Sequence, residues 1–122
     1  MKLNRVFLYL TLVFFLASCN NEQTVQLRVK NASGYTYDSV LVNTSGGENT
    51  YGTIAPGTTS DYKAFDFAYH YGFIKLQINS EVFILQPIDY VGERKLKSGK
   101  YTYEVSVSDT ATHQLLLNLI KD

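Results

Sequence analysis

The chain has 122 residues, enough for one ordinary domain and too few for a second catalytic one. Eleven Lys and Arg balance eleven Asp and Glu, which excludes a basic nucleic-acid-binding surface as the main function, and the composition, 45% hydrophobic with ten Tyr and seven Phe, excludes a disordered or collagen-like chain. A single Cys excludes an internal disulfide or a multi-cysteine metal site.

Residues 1–5 carry Lys2 and Arg5, residues 6–16 are apolar apart from Thr11, and the small Ala17 and Ser18 precede Cys19. Charge, apolar run and small residues in that order make an export signal. The uncharged stretch 6–19 is fourteen residues long, short of the ~20 that cross a hydrocarbon core as a helix, so a permanent transmembrane anchor is not expected. Leu16-Ala17-Ser18-Cys19 resembles the lipobox of Gram-negative bacterial lipoprotein precursors, in which an aliphatic residue and two small ones precede Cys. Small side chains let the extended backbone enter a peptidase, and a thiol is the nucleophile that takes a diacylglyceryl group. The resemblance implies a thioether on Cys19, cleavage before it, and acylation of the new α-amino group by a palmitate-type chain. Each buried methylene is worth ~0.8 kcal/mol and stable anchoring takes two chains, so the expected product is a lipid-anchored envelope protein. Asn20 stands where Asp favours inner-membrane retention in this class, which implies the outer membrane. Residues 1–18 then form the signal peptide, 19–24 a lipidated tether, and 25–122 the domain, with nine basic and eleven acidic residues left after the leader.

Along the domain, Val25, Leu27 and Val29 alternate with Gln26, Arg28 and Lys30, the period-two signature of a strand with one wet face. A turn at residues 31–34 leads to a second strand over 35–42, then a Gly/Ser/Asn loop over 43–50 and a short strand over 51–54 closed by Pro56-Gly57. Phe65, Phe67, Tyr69, Tyr71 and Phe73 share one parity and Ile74, Leu76 and Ile78 the other, which predicts a β-bulge or corner at Gly72. Asn79-Ser80 predicts a two-residue hairpin into the apolar run 82–85, expected to be covered on both faces. A polar stretch over 89–100 precedes an alternating strand over 101–108. In residues 113–120, Leu116 and Ile120 leave a helix open, but eight residues among strands predict a further strand. The expected fold is all-β, a single antiparallel β-sandwich of immunoglobulin-like or similar topology, with no internal repeat.

No nucleophile-elbow, zincin, phosphate-loop or dinucleotide-binding motif occurs, and two histidines, His70 and His113, cannot make a histidine-rich metal site. No cofactor, metal or catalytic residue is expected. Asp61, Asp66, Asp89 and Glu93 could in principle pair as general acid and base, and a concave pocket gathering His70 with two carboxylates would mark a small hydrolase. The aromatic column reads as core at its Phe positions, whereas Tyr69 and Tyr71 are candidate ligand-facing aromatics, since a phenol wants a polar partner. Arg94, Lys95, Lys97 and Lys100 are candidates for contact with anionic lipid headgroups, against the plainer reading of a solvated turn. Asp38-Ser39-Val40 and Asp109-Thr110-Ala111 resemble O-glycosylation sites of some exported bacterial proteins. The function expected is a membrane-anchored, non-catalytic binding module for an envelope protein or glycan, acting through end loops 43–50 and 89–100 or through a sheet edge. A structural accessory subunit of an envelope complex is the second reading.

Overall fold

The structure, a computed structural model, describes residues 24–88 and 93–122. Cys19, with residues 1–23, and Asp89 lie outside the described residues. Eight strands form in chain order: β1 (Val25–Asn31), β2 (Tyr37–Asn43), β3 (Glu48–Ile54), β4 (Lys63–Phe65), β5 (Phe73–Ile78), β6 (Glu81–Leu85), β7 (Gly99–Asp109) and β8 (Gln114–Lys121). Their alternation sends Val25, Leu27 and Val29 of β1 and Tyr101, Tyr103 and Val105 of β7 inward, while Arg28, Lys30 and Glu104 face solvent. One-faced burial of this kind forces two sheets to close on each other.

The sheets have the orders β4-β1-β7-β8 and β3-β2-β5-β6, and the core between them is built from Leu27, Tyr37, Val42, Ile74, Leu76, Tyr103 and their neighbours. The chain is thus an all-β sandwich. Its strand order is not that of the immunoglobulin domain, where the first, second, fifth and fourth strands share a sheet. Among the described residues pairing is antiparallel except between β1 and β7, which run parallel from Val25↔Gly99 to Asn31↔Val105. Five strands lie between them in sequence, so no hairpin dictates their relative direction.

Because of that pairing, β1, β5 and β7 all start at one end of the sandwich, where β2, β4, β6 and β8 finish. Thr24 enters at this end, here called the tether end. The opposite, far end carries the β1–β2 turn, the Asn79-Ser80 hairpin and the β7–β8 turn. Asn79 and Ser80 have φ of 50° and 67°, as a tight two-residue hairpin requires.

One sequence expectation is narrowed and one corrected. Of the bulge or corner expected at Gly72, the structure has the corner: β4 ends at Phe65, residues 66–72 cross between the sheets, and β5 begins at Phe73. The parity change therefore marks a change of sheet. Gly72 is buried in that crossing, where a Cβ would sit 3.2 Å from the Asn43 carbonyl oxygen and 3.3 Å from the Tyr103 ring. A register shift occurs instead between Tyr37 and Val40, with Ser39 at φ 52°, and it lets two residues three apart both face the core. The strand β6 is not covered on both faces. It is the edge of its sheet, with Phe83 buried but Val82 39% and Ile84 47% exposed.

Candidate functional site

The tether end is closed by three segments packed on one another: the β2–β3 turn, the 66–72 crossover and residues 93–98. Asp66 N–H donates to the Gly46 carbonyl at 2.9 Å, and the Thr44 hydroxyl donates to the Phe67 carbonyl at 2.7 Å. A Cβ on Gly46 would lie 2.2 Å from that same Phe67 oxygen, so only glycine admits the crossover here. Leu96 N–H then donates to the Ala68 carbonyl at 2.8 Å, drawing residues 93–98 across the end of the core, and the Tyr101 hydroxyl donates to the Lys97 carbonyl at 2.7 Å.

The candidate aromatics have different fates. Tyr69 is half-buried, edge-on to Phe67 with centroids 5.9 Å apart, and its carbonyl accepts the Tyr103 hydroxyl at 2.7 Å. Tyr71 is 41% exposed, and its hydroxyl donates to Glu93 Oε1 at 2.5 Å. That bond to a carboxylate, helped by partial desolvation and the Glu93 charge, pushes the Tyr71 phenol above its ordinary value.

The four basic candidates are brought to this end but not to one point. Arg94, Lys95 and Lys97 are exposed on the closing segment, with Lys95 Nζ 4.1 Å from the centre of the Phe67 ring. Lys100 lies on β7, its Nζ 5.1 Å from the Tyr62 ring. Gly99 N–H donates to the Thr24 carbonyl at 3.4 Å, which fixes where the described chain begins: beside the basic segment.

Two features escaped sequence reasoning. The first is a network on the outer face of β1 and β7, where Arg28 Nε donates to the Thr102 hydroxyl at 2.9 Å and lies 3.3 Å from Asp122 Oδ2. The Tyr62 hydroxyl donates to the same oxygen at 2.6 Å. Desolvation acts to raise the Asp122 pKa, but hydrogen bonds from Tyr62 and Thr102 and the Arg28 charge outweigh it and hold the carboxyl below its ordinary value. No spacing signal links residues so far apart in sequence. The second is an apolar groove of about 440 Å³ between the β6 and β8 edges, lined by Leu85, Pro87, Leu115, Leu116 and Leu117 with Tyr71 among them. The run Leu115-Leu116-Leu117 breaks β alternation and was its only signal in the sequence.

The acid–base candidates divide between two parts of the sandwich. Asp66, His70 and Glu93 belong to the tether end, and Asp61 follows Ser60, whose N–H donates to the Val29 carbonyl in the far half. Among the described residues no group of three His, Cys, Asp or Glu stands close enough to hold a metal ion. Among them, too, no helix is long and apolar enough to cross a membrane. Ser39 and Thr110, of the two glycosylation-like triplets, are both exposed. What this geometry offers is surface: an apolar groove along one side and a basic end beside the point of chain entry.

No family model and no curated protein matches this sequence. The fold is similar to the NMR structure of a protein from Eubacterium rectale, with a TM-score of 0.60 and 16% sequence identity, over 82% of this chain and 93% of that one. At that identity the likeness establishes the sandwich and nothing of its chemistry.

Proposed function

We propose that this chain is a lipoprotein of the bacterial cell envelope, anchored by acylated Cys19, whose sandwich is a non-catalytic binding module for an envelope protein or glycan. The observation that carries the reading is the lipobox-like Leu16-Ala17-Ser18-Cys19, placed behind a charged and apolar leader and only five residues before the first described residue, Thr24. Two acyl chains on Cys19 suffice for stable anchoring without a transmembrane helix. Asn20 favours the outer membrane as the destination. The groove between β6 and β8 supports the binding half of the reading, because an apolar, concave strip beside unpaired edge strands suits an apolar segment of a protein partner better than a sugar.

The experiment is fractionation of cells expressing the full chain and its Cys19→Ser variant. Wild-type protein is expected in the membrane fraction and in the detergent phase on phase separation, with the variant shifted to the aqueous phase. Equal distribution of the two would overturn the reading.

A second reading, an accessory subunit whose apolar side is buried against a partner, is favoured by the exposure of Leu116, 58% exposed in that groove, and of Val82 and Ile84 on the edge strand β6. Crosslinking in intact cells discriminates. One stoichiometric protein partner captured through β6 and β8 supports the subunit, and weaker capture of several partners or of glycan supports the module.

A further inference from the structure

We infer that the tether end is a membrane-facing surface, with Arg94 and Lys97 directed at anionic phospholipid headgroups, so that the domain stands upright on its anchor with the far end outward. The inference rests on the anchored reading above and adds an orientation to it.

Three observations carry it. The first is length. Five residues separate Cys19 from Val25, a covalent reach of at most about 20 Å. The tether end is therefore held within one to three Debye lengths of the headgroups, at about 8 Å each in physiological salt. The far end lies the length of β7 away, eleven residues or about 36 Å, beyond the reach of the surface potential.

The second is placement. Thr24 accepts a backbone hydrogen bond from Gly99, so the chain enters beside the segment that bears Arg94, Lys95 and Lys97. That segment closes the sandwich through Leu96 N–H on Ala68, leaving the three cations exposed on its outside. Lys95 and Lys100 rest on the Phe67 and Tyr62 rings, which keep their charge at this end without neutralising it. Glu48, Asp66, Glu93 and Asp122 share the end; Asp122 is paired with Arg28, whereas Glu93, held by the neutral Tyr71 hydroxyl, keeps its charge.

The third is asymmetry. Asp38, Glu81 and Asp109 lie toward the far end, where no Lys or Arg stands among the described residues, while Glu104, midway along β7, sits 3.6 Å from Lys30. A body with an excess of cations near the anchor and only carboxylates at the far end is turned by an anionic surface in one sense only.

The test uses the full acylated chain in vesicles, with a dye on a single introduced cysteine, Ser98→Cys at the tether end or Thr110→Cys at the far end. The acylated Cys19 thiol does not compete for the label. The probe is a headgroup-attached quencher in vesicles of pure phosphatidylcholine or with roughly a third phosphatidylglycerol. The dye at position 98 is expected to be quenched at least about threefold more in the anionic vesicles, and the dye at 110 to stay at background in both. The Arg94→Gln, Lys97→Gln double variant should abolish that difference, each charge being worth about fivefold in the upright population, while the chain still floats with the vesicles. Equal quenching at 98 in both lipids, or equal quenching at 98 and 110, overturns the orientation. Failure of the wild-type chain to float, with a free thiol at residue 19, identifies failure of the anchored reading itself and takes the orientation with it.

Discussion

The two ends of the sandwich are closed by different physics. At the far end a single buried side chain organises the turn: Asn31 donates through Nδ2 to the Tyr35 carbonyl at 2.6 Å and the Ile54 carbonyl at 2.9 Å, and its Oδ1 accepts from Ser33 N–H at 2.9 Å. At the tether end backbone packs directly on backbone, with Gly46 under Phe67 and Leu96 hung on Ala68, and the Thr44 and Tyr101 hydroxyls add to it. The first arrangement depends on saturating one polar group and the second on having no side chain at one position. Substitutions that look alike in size should therefore act very differently at the two ends.

The largest effect is expected from Gly46→Ala. Its Cβ meets backbone atoms of Phe67 at 2.2 Å and 2.6 Å, which no rotamer change relieves, so urea unfolding should show a loss of at least about 2 kcal/mol. Gly34→Ala, in the far turn with nothing within 4 Å of the added Cβ, should stay within about 0.5 kcal/mol of wild type. If the two alanines cost the same, the contrast between the ends is wrong.

Asn31→Ala should follow at about 2–3 kcal/mol, because it takes a buried partner from the Ile54 carbonyl and leaves the part-buried Tyr35 carbonyl only the Ser33 hydroxyl at 3.2 Å. Tyr37→Phe should cost less, about 1 kcal/mol. The Val105 carbonyl loses the Tyr37 hydroxyl at 2.8 Å but keeps Ala32 N–H at 2.9 Å, so no buried group is orphaned. A loss for Tyr37→Phe matching that for Asn31→Ala would show that satisfaction of the acceptors is not what matters at the far end.

The smallest effect concerns acid. The Asp122 carboxyl is held below its ordinary 3.8, so in the folded state it stays ionised at a pH where the unfolded chain has taken up a proton. Its contribution is fully present above about pH 4 and is lost as the pH falls below that value. Asp122→Asn should accordingly flatten the acid side of the stability profile and leave its shape above pH 5 unchanged, as thermal melts across pH 2–7 would record. An unchanged acid side in the variant would mean that Arg28, Tyr62 and Thr102 do not hold the carboxylate.

Period-two reading found β1, β7 and β8 and the hairpin at Asn79-Ser80 because each is a local pattern with one wet face or one tight turn. At residues 64–78 it found the change of face but left bulge and corner open, because a crossing between sheets and a bulged strand produce the same parity change and only long-range contacts separate them. It failed at Val82 and Ile84, since an apolar run does not say whether its strand lies at the centre or the edge of a sheet. The basic candidates were visible as a charge cluster, but that they flank the point of chain entry depends on the parallel β1–β7 pair, which no local signal encodes. The Arg28–Asp122 network was invisible for the same reason, its members meeting only through the register of β1, β7 and β8.

The account turns on Cys19, and intact mass spectrometry of the chain recovered from its native envelope tests it most directly. The account predicts a polypeptide that begins at Cys19 and carries a diacylglyceryl thioether, with a further acyl group on the α-amine in the triacylated form. A chain of 122 residues with Leu16-Ala17-Ser18 still attached and an unmodified thiol at position 19 would contradict it.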